Sequence, residues 1–555
     1  MNRPSDPPAR LRTTGEALID ALAARGITHV FGIPGVHTIE LYRGLAGSRL
    51  QHVLPKHEQG AGFMADGYAR ATGKPAACLL ITGPGVTNAL TAVGQAYSDS
   101  VPMLVIASTQ DVSDHGRQRG RLHETRNQRA MAEQVTAFAA TCWLPDDVPD
   151  YLYRAFAVFD SRRPRPVYLD IPMDVLSAPA RGDWAPRRLS ARPGARPEDI
   201  VRAAGLLAGA RRPMLIVGGG ARSAADKLHA LAEHLAAPVF STIAGKGILP
   251  ADHPLWLDAV LHRADGRAFL GEADVVLTVG SELAQSEFLT AAPLPISGEM
   301  IRIDIDHEQL CDQHKTTLPI LADAAPATAA ILEAVRSMTP ARPRVEAEHR
   351  VARLRAALRA GETGLDAVYL AALEAISESL PAETMIFTDM TTIAYAGNYL
   401  YPATTRGRWV HPAGFGSLGY SLPAAIGAAI GKPGARVVAI VGDGGFQFTL
   451  SELAVMAELQ LPVVVLLWNN NCFGQIHKGM VERSVMPVGT VYPTPDFLAI
   501  ARAYGIASYA PATAAEASRT IAAACVAGAP AVIELTPELF GAAASTPSLL
   551  DAAGR

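Results

Sequence analysis

The stretch Ala435-Arg-Val-Val-Ala-Ile-Val-Gly-Asp-Gly-Gly-Phe446, with its continuation Leu461-Pro-Val-Val-Val-Leu-Leu-Trp-Asn-Asn-Asn-Cys-Phe-Gly474, decides the fold. An apolar, β-branched run from Val437 to Val441 breaks into the turn Gly442–Gly445. A helix-patterned segment follows, and a second apolar run ends in three asparagines. Strand, turn, helix and strand in this order form a unit of a parallel sheet buried on both faces. Open parallel sheets hold ligands in the loops at the carboxyl ends of their strands, where Asp443 and Asn470 both fall. A carboxylate and an amide oxygen beside backbone carbonyls are hard donors suited to a Mg²⁺ ion that keeps water and reaches a phosphate. Gly442, Gly444, Gly445 and Gly474 let the backbone approach an anionic group closely. A Gly-Asp-Gly turn alone is also an ordinary tight turn.

The same alternation recurs upstream. Strand-like Thr28–Phe31 leads into the turn Gly32-Ile-Pro-Gly35, and a further strand into Lys56-His-Glu-Gln-Gly60. A helix-like run from Ala61 to Thr72 follows, then Cys78–Ile81, the turn Thr82–Asn88 and Pro102–Ala107. Strands alternating with helices at this interval predict an open parallel α/β domain. It closes with Arg165–Pro172 before a Pro/Arg-rich linker, roughly 178–197. A second α/β unit has expected strands at Pro213–Val217, Ala273–Val279 and Met300–Ile305, and the charged helical stretch 342–361 reads as the next linker. The predicted division is 11–180, 195–340 and 362–545, the first and third parts alike in architecture but without a fixed-period repeat.

Composition narrows the function. With 49 basic and 53 acidic side chains among 555 residues, nothing recruits nucleic acid electrostatically. No run approaches the ~20 apolar residues of a membrane helix. The polar, proline-rich start is not a signal peptide, and the five cysteines show no pairing or metal spacing. A cytoplasmic protein with reduced thiols is expected. The glycine cluster Val217-Gly-Gly-Gly-Ala-Arg222 lacks the full spacing of a dinucleotide site and an acidic partner on the next strand. It reads as a strand–helix turn, possessing at most a vestigial nucleotide groove, and flavin is not expected.

The separation of Asp443 from Asn470, with Asn469-Asn470 closing a strand, resembles the diphosphate–metal motif of the thiamine-diphosphate enzymes. His57-Glu-Gln-Gly-Ala-Gly-Phe-Met-Ala-Asp-Gly-Tyr-Ala-Arg70 and Ile81-Thr-Gly-Pro-Gly-Val-Thr-Asn88 resemble the pyrimidine-binding domain of their acetolactate synthase-like branch. The resemblance covers essentially the whole chain and implies pyrimidine-binding, central and diphosphate-binding domains in that order. It implies Asp443, Asn470 and the carbonyl of Cys472 as Mg²⁺ ligands, with Gly416 and Leu418 at the pyrimidine and Leu418 bending the cofactor. Thr391 and Thr392 would stand by the diphosphate, where the synthases carry Gly, Gln and His. Glu58 would exchange a proton with the aminopyrimidine, whose imino form can remove the weakly acidic C2 proton of thiamine. His37 occupies a loop where some lyases of the family have a histidine and could shuttle a proton; a loop histidine without that duty is the alternative.

Because the family's glutamate and metal site belong to different subunits, a homodimer with shared sites is implied, paired again into a homotetramer. The substrate would be a small 2-oxo acid, decarboxylated to an aldehyde or ligated to a second carbonyl. Three departures argue against a strict acetolactate synthase: the segment Gly116–Gln128, the replacement of the flavin-associated pattern by Gly280-Ser-Glu-Leu-Ala-Gln-Ser-Glu287, and His37 itself. The mix resembles the guanidino-oxopentanoate decarboxylases, in which case Glu282 or Glu287 could pair with a cationic tail. Alternatives are an acetolactate synthase condensing two pyruvates, a catalytically silent cofactor-binding subunit, and a nucleotide-dependent oxidoreductase.

Overall fold

Strands with every residue buried recur through the chain, and each Val or Ile so placed contributes roughly 1.5–3 kcal/mol. The computed structural model describes residues 11–290, 292–404 and 408–541; the start discussed above and the expected last residues 542–545 lie outside it. Two compact units form, Met1–Ser190 and Ala191–Arg555, and among the described residues they carry three six-stranded sheets. In the first unit the strands are β1 (His29–Gly32), β2 (Gln51–Val53), β3 (Ala76–Leu80), β4 (Met103–Thr109), β5 (Phe138–Thr141) and β6 (Val167–Pro172). Their order is β2-β1-β3-β4-β6-β5, all parallel.

The second unit holds β7 (Pro213–Val217), β8 (Val239–Ser241), β9 (Trp256–Asp258), β10 (Val275–Val279), β11 (Glu299–Asp304) and β12 (Leu318–Leu321) in one sheet. The other contains β13 (Met385–Thr388), β14 (Arg408–Val410), β15 (Val437–Gly442), β16 (Val463–Trp468), β17 (Ala507–Tyr509) and β18 (Ala531–Leu535). Its order, β14-β13-β15-β16-β18-β17, repeats that of the first unit, whereas the middle sheet runs β12-β11-β10-β7-β8-β9. The expected likeness of the outer parts is therefore present in their strand order.

Strand ends fall within two residues of expectation where β-branched runs are long, as at β7, β10 and β11. Short edge strands such as β5, β9 and β17 were not anticipated. The helix Glu58–Thr72 starts three residues earlier than predicted, because His57 caps it, its Nδ1 accepting from the Gln59 N–H at 3.1 Å. The charged stretch 342–361 is the helix Val345–Ala360, which docks Val351 and Leu354 into the middle sheet's core. No described helix is long and apolar enough to cross a membrane.

The glycine cluster has a backbone explanation. A Cβ on Gly218 would lie 2.2 Å from the Gly280 carbonyl, and one on Gly280, whose φ is +60°, 2.5 Å from the Gly220 carbonyl carbon. The ends of β7 and β10 thus press directly against each other. Gly280→Ala is expected to cost about 1–3 kcal/mol, read as a lower urea midpoint of the second unit; an unchanged midpoint contradicts this packing.

Candidate functional site

Parallel pairing sets the carboxyl ends of β13, β15 and β16 side by side. Asp443 follows β15 as the first residue of a short helix. Its Oδ1 accepts from the Gly444 N–H at 3.0 Å, while Oδ2 is buried with no hydrogen bond of normal geometry among the described residues. Burial lifts this carboxyl to about 6, opposed by neighbouring backbone N–H groups, Gly444 first. After β16, Asn470 Oδ1 accepts from the Cys472 N–H at 3.3 Å. That loop is pinned by Phe473 N–H to Thr490 O at 2.7 Å and by Thr494 Oγ1 to Asn471 Oδ1 at 2.6 Å. The Tyr492 hydroxyl, which faces the Asp443 carboxyl, is likewise buried and makes no hydrogen bond of normal geometry among the described residues. An unbonded anionic oxygen, an amide oxygen and the carbonyls of a tight loop form a donor set that fits a hard divalent cation.

Asn470, Cys472, Gly474 and Thr392 line a cavity of 1460 Å³ in this unit. Thr391 precedes the helix Thr392–Leu400 as its N-cap, and the Thr392 hydroxyl is buried without a partner. Gly444 cannot be larger, since a Cβ there would meet the Phe473 ring at 2.4 Å. Those backbone and hydroxyl donors at a helix start suit a phosphate tail.

Leu418 is half-buried on the loop between Pro412 and Tyr420, so it is not an ordinary core leucine. Gly416 beside it has φ +72°. What fixes this loop is Asp389, not singled out in the sequence although it lies two positions before Thr391. Its wholly buried carboxylate accepts from Gly419 N–H at 3.1 Å, Ser421 N–H at 3.2 Å and Met390 N–H at 2.8 Å. A Cβ on Gly445 would sit 2.8 Å from its Oδ1.

The first unit gathers its candidates at the carboxyl ends of β1, β2 and β3. Glu58 is buried, and its Oε2 accepts from Asn88 Nδ2 at 2.9 Å; a Cβ on Gly85 would lie 3.6 Å from Oε1. Gln128, also not foreseen, fastens the adjoining turn: its Oε1 accepts from Thr82 Oγ1 and Gly83 N–H at 2.9 and 2.7 Å, and its Nε2 donates to Ser108 O and Tyr168 Oη. His37 is buried in a short 3-10 turn, 5.1 Å ring to ring from His123. Burial and the His123 charge lower its pKa, against Asp111.

From the middle sheet, Glu287 reaches the wall of the large cavity, where its Oε2 accepts from Ile243 N–H at 2.6 Å; Glu282 is not on that wall. Asp366 and the rings of Tyr369, Tyr395 and Tyr399 complete that side.

Comparison with known proteins follows the same three parts. Residues 12–131, 200–333 and 389–535 match the N-terminal TPP binding, central and C-terminal TPP binding domains of the thiamine pyrophosphate enzymes. The chain belongs to that family, in its acetolactate synthase-like branch. It is 50% identical to a probable 2-ketoarginine decarboxylase of Pseudomonas aeruginosa over 93% of this chain and 92% of the relative. Acetolactate synthase isozyme 1 of Escherichia coli is 31% identical over 90% and 89% of the two chains, and the synthase of Arthrospira platensis is 31% identical over 89% of each.

Asp389 generates a prediction. Burial raises its carboxyl from 3.8 to about 6, so the folded chain holds this proton more tightly than the unfolded one. Its contribution to stability is therefore greatest at low pH and falls as pH rises through about 4 to 6. Asp389→Asn should flatten that slope in urea titrations, while Asp389→Ala, which strands three N–H groups, should cost about 2–4 kcal/mol.

Proposed function

We propose that this chain decarboxylates a 2-oxo acid with a cationic tail, 5-guanidino-2-oxopentanoate, using thiamine diphosphate anchored through Mg²⁺. The observation that carries the proposal is the buried Asp443 carboxyl set against the backbone of Asn471 and Cys472, on a loop whose residues, Asn470 among them, line a large cavity, together with 50% identity to the decarboxylase named above. The acetolactate synthases are more distant, at 31%, which makes condensation of two pyruvates the second choice.

Asp443 Oδ2, Asn470 Oδ1 and the Cys472 carbonyl would hold the metal, and Thr391, Thr392, Gly442, Gly444, Gly445 and Gly474 the phosphate tail. The cofactor, when bound, supplies the nucleophilic carbon and the electron sink that let CO₂ leave. Glu58 holds or releases the proton at the pyrimidine ring nitrogen, and Asn88 fixes its carboxylate. Leu418 and the Gly416 carbonyl, on the loop that Asp389 secures, would hold the cofactor's pyrimidine side, Leu418 by apolar contact and the carbonyl as a hydrogen-bond acceptor. His37 moves a proton at the substrate oxygen. Glu287 and Asp366 bring carboxylates to the cavity wall, where a guanidinium would find bidentate acceptors.

We infer that each site is completed by a second copy of the chain, in a homodimer that pairs again into a tetramer and works in the cytoplasm. The helix Gly474–Glu482 buries none of its residues, and Ile476, Val481, Val485, Met486 and Val488 stand exposed on and after it. Exposed apolar clusters of this kind mark association surfaces. The domain boundaries 11–180, 195–340 and 362–545 belong to the same proposal.

Reconstituted enzyme should release CO₂ and 4-guanidinobutanal from 5-guanidino-2-oxopentanoate far faster than it turns over pyruvate or benzoylformate, with products identified by mass spectrometry. Acetolactate as the main product would overturn the substrate assignment, and no CO₂ from any 2-oxo acid the activity. Asp443→Ala should abolish Mg²⁺-dependent cofactor affinity in a calorimetric titration. Glu58→Gln should retain cofactor binding yet slow deuterium exchange at the cofactor's C2 by about 10²-fold or more.

A further inference from the structure

Beside the middle sheet, three side chains with metal-ligating atoms take no part in the roles assigned above. His229 and Glu233 lie one turn apart on the helix Ala225–Leu235 and so share a face. His253, on the turn that leads into β9, comes against that face: its ring is 4.6 Å from that of His229, at 89°. One ligand atom from each of the three lies within 4.8 Å of the other two, and the Nε2 atoms of both histidines stand 3.9 Å from Glu233 Oε1. The His253 side chain is 7% exposed, and its Nε2 is buried with no hydrogen bond among the described residues. A histidine kept for structure would close on the carboxylate to a hydrogen bond of about 2.7–3.2 Å. The observed 3.9 Å is too long for that. It is close to the ~3.4 Å that separates two ligands of one tetrahedral ion bonded at about 2.0–2.1 Å.

We propose that His229, Glu233 and His253 form a site for a divalent ion of the zinc class, separate from the Mg²⁺ site assigned to Asp443 and Asn470. Two imidazoles and one carboxylate suit Zn²⁺, whereas Mg²⁺ and Ca²⁺ prefer oxygen throughout. Water completes the tetrahedron from the side where His229 and Glu233 are exposed, and the ion enters there. Two neighbours adjust. His253 Nδ1 accepts from the Leu255 N–H at 3.2 Å; coordination through Nε2 moves the ring proton to Nδ1 and ends that bond, one neutral contact that a metal–imidazole bond outweighs. Arg344, which donates to Glu233 Oε1, turns to Glu348, whose Oε1 already lies 3.5 Å from its Nε; an exposed ion pair of this kind exchanges at little cost. The bound ion fastens the helix Ala225–Leu235 to the start of β9, a three-residue strand at the sheet's edge with an irregular register against β8. On its other side the same turn is held by Arg355, which donates to Ala251 O and His253 O at 3.1 and 3.0 Å, so the ion adds a second tie to a short edge.

The test uses full-length, tag-free protein, stripped by chelator and titrated with Zn²⁺ against a chromophoric indicator. Asp443→Ala serves as the background, since it removes the other candidate metal site. That chain should bind one Zn²⁺ with a Kd of about 1 µM or tighter. His229→Ala in the same background, at an exposed helix position, should weaken binding about 10²-fold or more. His253→Gln should do likewise, and if that buried substitution unfolds the chain the His229→Ala comparison still decides. Arg344→Gln, which withdraws a competing cation, should tighten binding about three- to tenfold. The zinc K-edge spectrum should show two imidazoles and no sulfur, and Zn²⁺ should raise the thermal midpoint of the Asp443→Ala chain but not that of the His229→Ala double variant. A Kd weaker than about 100 µM, binding that His229→Ala leaves unchanged, or a sulfur ligand in the spectrum overturns the site.

Discussion

A buried carboxylate with an unbonded oxygen is costly, and Asp443 is such a group. Burial pushes it towards the neutral form, and the neighbouring backbone N–H groups, Gly444 first, offset that only in part. A divalent cation would repay it, and the loop from Asn470 to Cys472, pinned by the 490–494 segment, supplies the remaining protein donors. The apolar strands β15 and β16 exist in this sense to hold two polar loop starts at fixed separation. Their register pairs Gly442 with Trp468, so Asp443 and Asn469 leave the sheet side by side.

The outer sheets share one strand order and use the same end of it for different chemistry. In the first unit that end carries Glu58 and His37, to which we assign proton transfer. In the second it carries Asp443, Asn470, Thr391 and Thr392, which we propose would hold a cation and a phosphate tail. The middle sheet contributes structure: its glycines are consumed by the approach of β7 to β10, and its Glu287 closes the cavity wall.

Much of this was legible in the sequence because the relevant signals are local. Long β-branched runs gave β7, β10, β15 and β16, and the Asp443–Asn470 interval with the Glu58 turn pointed to the family that the comparisons show. Other features are properties of three-dimensional approach. Asp389 matters because N–H groups of residues 30 or so positions later fold onto it, and Gln128 because it reaches back to Thr82 and Gly83. Edge strands such as β5 and β17 escaped notice because three or four half-buried residues carry little period-two signal.

Subunit complementation tests the shared site most directly. Glu58→Gln and Asp443→Ala chains, each inactive as pure proteins, are mixed under conditions that exchange subunits, and CO₂ release is measured. If every site takes Glu58 from one copy and Asp443 from another, a hybrid dimer keeps one intact site, and random mixing restores about a quarter of wild-type activity. Activity no higher than either parent, with subunit exchange verified by mass, would contradict the account.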